Sequence, residues 1–244
     1  MIRIGVLALQ GDFAEHVAVL SRLGVEAREV RLPEQLDNLD GLVIPGGEST
    51  TFTRLMADYD LLEPIRRLAE DGLPIWGTCA GMIVLACQAS HLPRPGLGIM
   101  DIVVERNAFG RQVDSFEADV AIPVLGPEPF PAVFIRAPVI RKVGIGVEVL
   151  ARLPASAAGR AQGDSPDGTA IVAARQGHPT GVCLLATAFH PELTNDTRLH
   201  RYFLELVEAG GSSAPEAAAY LPPEADLPLA GAESAKGHIS GAGP

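Results

Sequence analysis

The stretch IRIGVLALQGDFAEHVAVLSRLGVEAREV, residues 2–30, limits the fold more than any other part of the chain. An apolar run from Ile2 to Leu9 turns at Gly11-Asp12 into a segment with helical apolar spacing up to about Leu23, and a second extended run follows. Asp12, with Glu15 three residues later, has the spacing of a capping box in which Asp is the cap. The whole reads as a βαβ opening, and two parallel strands need such a crossover.

The pattern then repeats. GLVIPGG predicts a buried strand running into ESTTFTRLMADYDLLEPIRRLAEDG, a helix pair interrupted around Tyr59-Asp60. LPIWG predicts a third buried strand that leads to Cys79, and AGMIVLACQA, residues 80–89, predicts a buried helix. Apolar strands with little polar alternation, separated by helices, predict an α/β fold with a mostly parallel sheet covered on both faces.

The middle differs. MDIVVERNAF, SFEADVAI, AVFIRAP and GVEVLARL are short runs between Gly and Pro, predicted as added or antiparallel strands. ASAAGRAQGDSPDG reads as a loop, TAIVAARQG and GVCLLATAF as a hairpin-like pair, and a closing helix is expected from about Asn195 to Ala209. Residues 209–244, rich in Ala, Gly, Pro and Ser, hold too few large apolar groups to offset ordering entropy and read as a tail on a domain of residues 1–208.

Composition excludes several function classes. A net charge of −11 without a dense Lys/Arg stripe argues against nucleic acid. No apolar run approaches the roughly 20 residues that cross a bilayer, and the first residues lack a signal-peptide pattern, so a cytoplasmic location is expected. Three cysteines without CxxC spacing predict reduced thiols, no disulfide framework and no metal site, and no cofactor is called for.

Gly77-Thr78-Cys79-Ala80-Gly81 has the spacing of a nucleophile elbow between strand and helix. Small flanking residues permit the tight turn, a helix N-terminus favours a thiolate, and the Ala80 N–H follows the nucleophile, where an oxyanion forms. The competing reading is a buried structural thiol. Cys87 and Cys183 lie in apolar runs without an elbow and read as structural. A cysteine nucleophile needs a base and an orienting acid. His190 in ATAFHPELTND leaves an apolar strand at the end where open sheets bind ligands, with Glu192 two residues on. His16, His91, His178, His200 and His238 read as solvated or capping groups.

IPGGEST follows a buried strand. Its glycines allow a tight turn, Ser49 or Thr50 is placed to cap the next helix, and the Gly47 amide is placed as a second oxyanion donor. Arg106 and Arg136, in β-like segments, suit either a bidentate clamp on a substrate carboxylate or an internal ion pair.

Together these pieces resemble the class I, triad-type glutamine amidotransferases. The strings LALQGDFAEH, PGGESTT, GTCAGMI, RNAFGRQ, SFE, FIRAP, VAARQG and FHPEL, in order from Met1 to about Glu208, resemble the glutaminase subunits of pyridoxal 5'-phosphate synthases. The elbow and His-x-Glu specify only the class; LALQGDFAEH, PGGESTT and RNAFGRQ point to the vitamin B6 branch. The resemblance implies a flavodoxin-like three-layer sandwich with added strands. It implies Cys79 as nucleophile, His190 as base, Glu192 as orienting acid, Gly47 and Ala80 as oxyanion donors, and Gly47, Glu48, Ser49, Arg106, Ile135 and Arg136 as the glutamine site. It also implies L-glutamine as substrate and a barrel-type synthase subunit, in a large heteromeric complex, as the partner that receives ammonia and switches the glutaminase on. The loop at AGRAQGDSPDG is longer than that pattern, the tail has no counterpart in it, and Met82 stands where Leu is expected. Without the resemblance, another elbow-cysteine hydrolase, a chaperone-like relative or a binding subunit with a decayed site fits the same elbow.

Overall fold

A computed structural model describes residues 1–109, 115–154, 169–177 and 183–210. The opening is β1 (Arg3–Leu7), α1 (Phe13–Arg22) and β2 (Glu26–Val30); then come β3 (Gly41–Ile44), α2 (Ser49–Asp58), α3 (Leu62–Glu70), β4 (Ile75–Thr78) and α4 (Ala80–Leu85). The middle supplies β5 (Ala86–Ala89), β6 (Met100–Glu105), β7 (Ser115–Val120), β8 (Phe130–Ile135), β9 (Val139–Val143) and β10 (Val147–Pro154). The chain closes with β11 (Thr169–Gly177), β12 (Cys183–Thr187) and α5 (Arg198–Gly210).

Among the described residues, ten strands form one sheet in the order β2-β1-β3-β4-β12-β11-β9-β6-β5, with β10 also paired to β11. The β2, β1, β3, β4 and β12 strands run parallel, and β11 turns the direction against β12, β10 and β9. The added strands therefore extend the main sheet, except that β7 and β8 form a separate antiparallel hairpin.

The central strands read as apolar because both faces are covered: β3, β4 and β12 are buried at every position. Successive residues of β4 sort the layers by the two-residue period of a strand. Trp76 meets the rings of His16 on α1 and of His200 and Phe203 on α5. Gly77 faces the other way, where a Cβ would lie 2.5 Å from the Gly81 backbone of α4. Helices α1 and α5 thus cover one face and α4, packed on α2, the other. Because β1, β3, β4 and β12 are parallel, their carboxyl ends open on one edge of the sheet, where a switch in strand direction leaves a crevice.

Two boundaries and one cap depart from the sequence reading. The predicted helix over residues 80–89 stops at Leu85, and residues 86–89 join β6 as a strand. The returning chain takes the carbonyls that would continue the helix, Leu97 N–H bonding Val84 O at 2.7 Å and Ile99 N–H bonding Leu85 O at 3.0 Å. Cys87 consequently sits on an edge strand and is exposed, not buried as a small hydrophobe. The closing helix starts at Arg198 instead of Asn195, because Asp196 Oδ1 accepts the Arg198 N–H at 2.9 Å and residues 191–193 form a separate tight turn. Asp12 flanks α1 without a capping bond from its side chain. The helix pair broken at Asp60 and the antiparallel β11–β12 pair are present as expected. The loop at residues 155–168, His178, His238, Gly110 to Gln112 of RNAFGRQ, and the tail beyond Gly210 lie outside the described residues.

Candidate active site

The elbow is a constrained piece of backbone on this edge. After Thr78 the chain turns at Cys79 with φ 46° and ψ −101°, a conformation that costs a residue with a Cβ of order 1–3 kcal/mol. It is held from both sides: Cys79 N–H bonds Thr187 O of β12 at 2.8 Å, and Ile83 N–H bonds Cys79 O at 3.3 Å. The flanking glycines are needed for close approach, since a Cβ on Gly81 would lie 1.9 Å from Ile44 O of β3. The thiol is 6% exposed and opens into a cavity of about 450 Å³.

Gly47, Glu48 and Ser49 after β3, Arg106 after β6, Ile135 and Arg136 at the end of β8, and His190 after β12 line the same cavity. Seven expected site residues, from four separate segments, thus converge with Cys79 on one space. Ala80, buried, opens α4 directly behind the thiol. The Cys79 Sγ–H points to Ile135 O at 3.8 Å. The β7–β8 hairpin is pinned over the site by His190 N–H bonding Val133 O at 2.8 Å.

His190 Nδ1 lies 2.8 Å from Glu192 Oε1 and both side chains are buried, the geometry of a base held by an acid. A second carboxylate, Asp12 Oδ2, lies 3.3 Å from the same nitrogen. Burial alone would lower the imidazole, but Asp12, Cys79 and Glu192 outweigh it and push His190 up to about 12. Glu192 moves down despite its burial, through His16 and His190. Of the other thiols, Cys183 is pushed up to about 12 by burial, and Cys87 is raised by burial and then by Asp101. Both are thereby kept as poor nucleophiles.

Glu48, not Ser49 or Thr50, caps α2. Its carboxylate accepts Thr50 N–H at 3.0 Å and Thr51 N–H at 2.7 Å. Burial opposes the shift, yet these bonds hold Glu48 at about 2. Arg106 reaches Glu48 Oε1 at 3.4 Å, Thr50 Oγ1 at 3.3 Å and His91 O at 2.6 Å, so the ion-pair reading describes it while it also lines the cavity. Arg136, at φ 42°, lines the cavity and has no hydrogen bond or ion pair among the described residues.

Sequence reasoning missed four residues here. Gln10 clamps the Glu48 backbone both ways, at 3.3 and 3.2 Å. Asp12 faces His190, and its D-x-x-E spacing pointed to the wrong role. His16 and His200, expected at the surface, are 0% exposed and stand behind Glu192. Asp12→Asn removes the foremost of the groups that raise His190. The imidazole should fall toward its ordinary value, and the alkaline limb of kcat/KM should move to lower pH by about one unit. A pH–rate profile with an unmoved limb would show that Asp12 does not bear on His190.

The profile of the SNO glutamine amidotransferase family matches residues 6–209. The pyridoxal 5'-phosphate synthase subunit PdxT of Pelotomaculum thermopropionicum is 57% identical over 210 residues, covering 86% of this chain and 97% of that one. PdxT of Herpetosiphon aurantiacus is 56% identical over 206 residues, covering 83% and 99%. A solved crystal structure of a glutamine amidotransferase superposes with a TM-score of 0.72 at 51% identity, covering 84% of this chain and 98% of that one. A match over nearly all the described fold, at such identity, decides between the resemblances that the elbow alone left open: the chain belongs to the SNO glutamine amidotransferase family.

Proposed function

We propose that this chain hydrolyses the side-chain amide of L-glutamine to L-glutamate and ammonia, and delivers the ammonia to a synthase subunit that makes pyridoxal 5'-phosphate. The observation that carries the reading is a strained elbow cysteine sharing one cavity with an imidazole that is bonded to a buried carboxylate at 2.8 Å. In this reading His190, kept protonated by its Asp12 and Glu192 neighbours, is the imidazolium of an ion pair with the Cys79 thiolate; Sγ attacks the amide carbon, and the Gly47 and Ala80 N–H groups hold the oxyanion. Collapse of the tetrahedral intermediate breaks the C–N bond. His190 returns its proton to the nitrogen, so ammonia leaves and a γ-glutamyl thioester remains on Cys79. A water then gives one proton to His190, its oxygen attacks the thioester, and glutamate departs as the thiol is restored.

Arg136, unpaired among the described residues, would take the α-carboxylate of glutamine, with Arg106, Glu48, Ser49 and Ile135 forming the walls. Glu48 serves mainly by fixing the loop that carries Gly47, because its carboxylate is already engaged by α2. Residues 1–208 would form the glutaminase domain and residues 209–244 an appended tail, in keeping with a family match that ends at residue 209. The partner would be a barrel-type synthase in a large heteromeric complex in the cytoplasm, without membrane or nucleic acid. No described helix is long and apolar enough to cross a membrane.

The test is ammonia release from glutamine by the purified chain, with and without a synthase subunit of the kind that PdxT relatives serve. Weak release alone and an increase of about tenfold or more with the synthase are expected, as for a site completed by its partner. Equal rates in both arms would remove the synthase from the account.

A further inference from the structure

Behind the proposed triad lies a buried pair of imidazoles to which the chemistry above gives no task. Trp76 of β4 packs edge-on against His16 and His200, with ring centroids 5.6 and 5.0 Å apart. His16 Nε2 lies 3.3 Å from Glu192 Oε2 and 3.3 Å from Thr78 Oγ1, better aligned on the hydroxyl. His16 Nδ1 lies 3.1 Å from His200 Nε2. Among the described residues no aligned donor satisfies Glu192 Oε2, and His200 Nδ1 has no partner at all.

We propose that His16 is a positioning residue of the glutaminase reaction, holding the Glu192 carboxylate from the side opposite His190, and that His200 fixes the His16 tautomer that does so. The inference rests on the triad reading of Cys79, His190 and Glu192.

Proton positions follow from counting donors and acceptors. A neutral imidazole carries one N–H and one lone pair. A hydrogen on His200 Nδ1 would be a buried donor with nothing to bond, so the hydrogen belongs on Nε2, where His16 Nδ1 accepts it. Burial pushes His200 down to about 3, which keeps it neutral. His16, accepting at Nδ1, carries its own hydrogen on Nε2, facing the Thr78 hydroxyl and Glu192 Oε2. The carboxylate then has the His190 ring bonded at Oε1 and, 3.3 Å from Oε2, the His16 Nε2–H, which is aligned on Thr78 Oγ1 and lies close enough to turn toward the carboxylate.

The consequence is local. Thr78 directly precedes Cys79, so His16 braces both the residue behind the nucleophile and the acid behind the base. Without that N–H, the buried Oε2 loses the one donor-bearing nitrogen placed 3.3 Å from it among the described residues, and Glu192 can turn or gain a proton; either loosens its bond to His190 Nδ1. Glutamine binding, on the far side of His190, is untouched, so the loss falls on kcat.

The test uses full-length chain with its synthase subunit. His16→Met should lower kcat about 10- to 100-fold, the rate equivalent of one hydrogen bond to a charged group, with KM changed by less than about twofold. His16→Gln, whose amide nitrogen replaces Nε2–H, should recover kcat to within about threefold of wild type. Nitrogen-15 NMR of the wild-type imidazoles should show both His16 and His200 as Nε2–H tautomers. A wild-type kcat for the Met variant, a Gln variant no better than Met, or an Nδ1–H tautomer at His200 would each overturn the proposal; the tautomers decide it alone if the variants fail to fold. Turnover by Cys79→Ala would sink the triad reading instead, whereas an inactive Cys79→Ala beside a fully active His16→Met would sink this inference only.

Discussion

Cys79→Ala is expected to abolish ammonia release, by at least ~10⁴-fold in kcat, both for the free chain and with the synthase present. The reason is chemical: without Sγ there is no nucleophile and no thioester. The fold should survive, because alanine keeps the Cys79 N–H bond to Thr187 O and the Cys79 O bond to Ile83 N–H. A far-ultraviolet spectrum and melting temperature close to wild type would separate lost chemistry from lost structure. Cys87→Ala is the matched control. That thiol is exposed on β5 and remote from the cavity lining, so its removal should leave the rate unchanged.

Gly46→Ala should cost about 10²-fold or more without touching any group that reacts. A Cβ at Gly46 would stand 2.2 Å from His190 Cε1 and 2.7 Å from Nδ1. The ring must move, and its 2.8 Å bond to Glu192 Oε1 and its alignment with Cys79 move with it. A displacement near 1 Å in a reacting group costs about 10²-fold, so kcat should fall by about that factor or more while the protein stays folded. Gly177→Ala, where a Cβ meets nothing within 4 Å, should be silent. Ammonia assays on the two variants side by side would check this, and an undiminished Gly46→Ala rate would place the working position of His190 elsewhere.

Much of this was legible because the signals were local. The βαβ opening, the elbow and the His-x-Glu pair each lie within a few residues, and parallel strands bring their carboxyl ends together. Boundaries inside uniformly apolar sequence were not legible. AGMIVL and the following ACQA carry no change in periodicity where helix gives way to strand, because carbonyl partners from Leu97 and Ile99 decide it. Nor was the ring of groups around the triad. Asp12 has the spacing of a cap, and only its distance to His190 reveals its use. His16 and His200 meet across 184 positions of sequence, and polar residues on amphipathic helices read as solvated until α1 and α5 are packed on Trp76. Glu48 was assigned to the glutamine site by resemblance; its carboxylate serves as a helix cap, which explains why an acid is placed there beside Arg106.

The central claim, that Cys79 attacks the glutamine carbonyl, is tested most directly by covalent trapping. The chain, with its synthase subunit, is treated with a chloroketone analogue of glutamine and digested for mass spectrometry. The account predicts one adduct, on the peptide carrying Cys79, suppressed by excess glutamine and absent from Cys79→Ala. An adduct on the exposed Cys87 in preference to Cys79, or labelling that glutamine does not suppress, would contradict it.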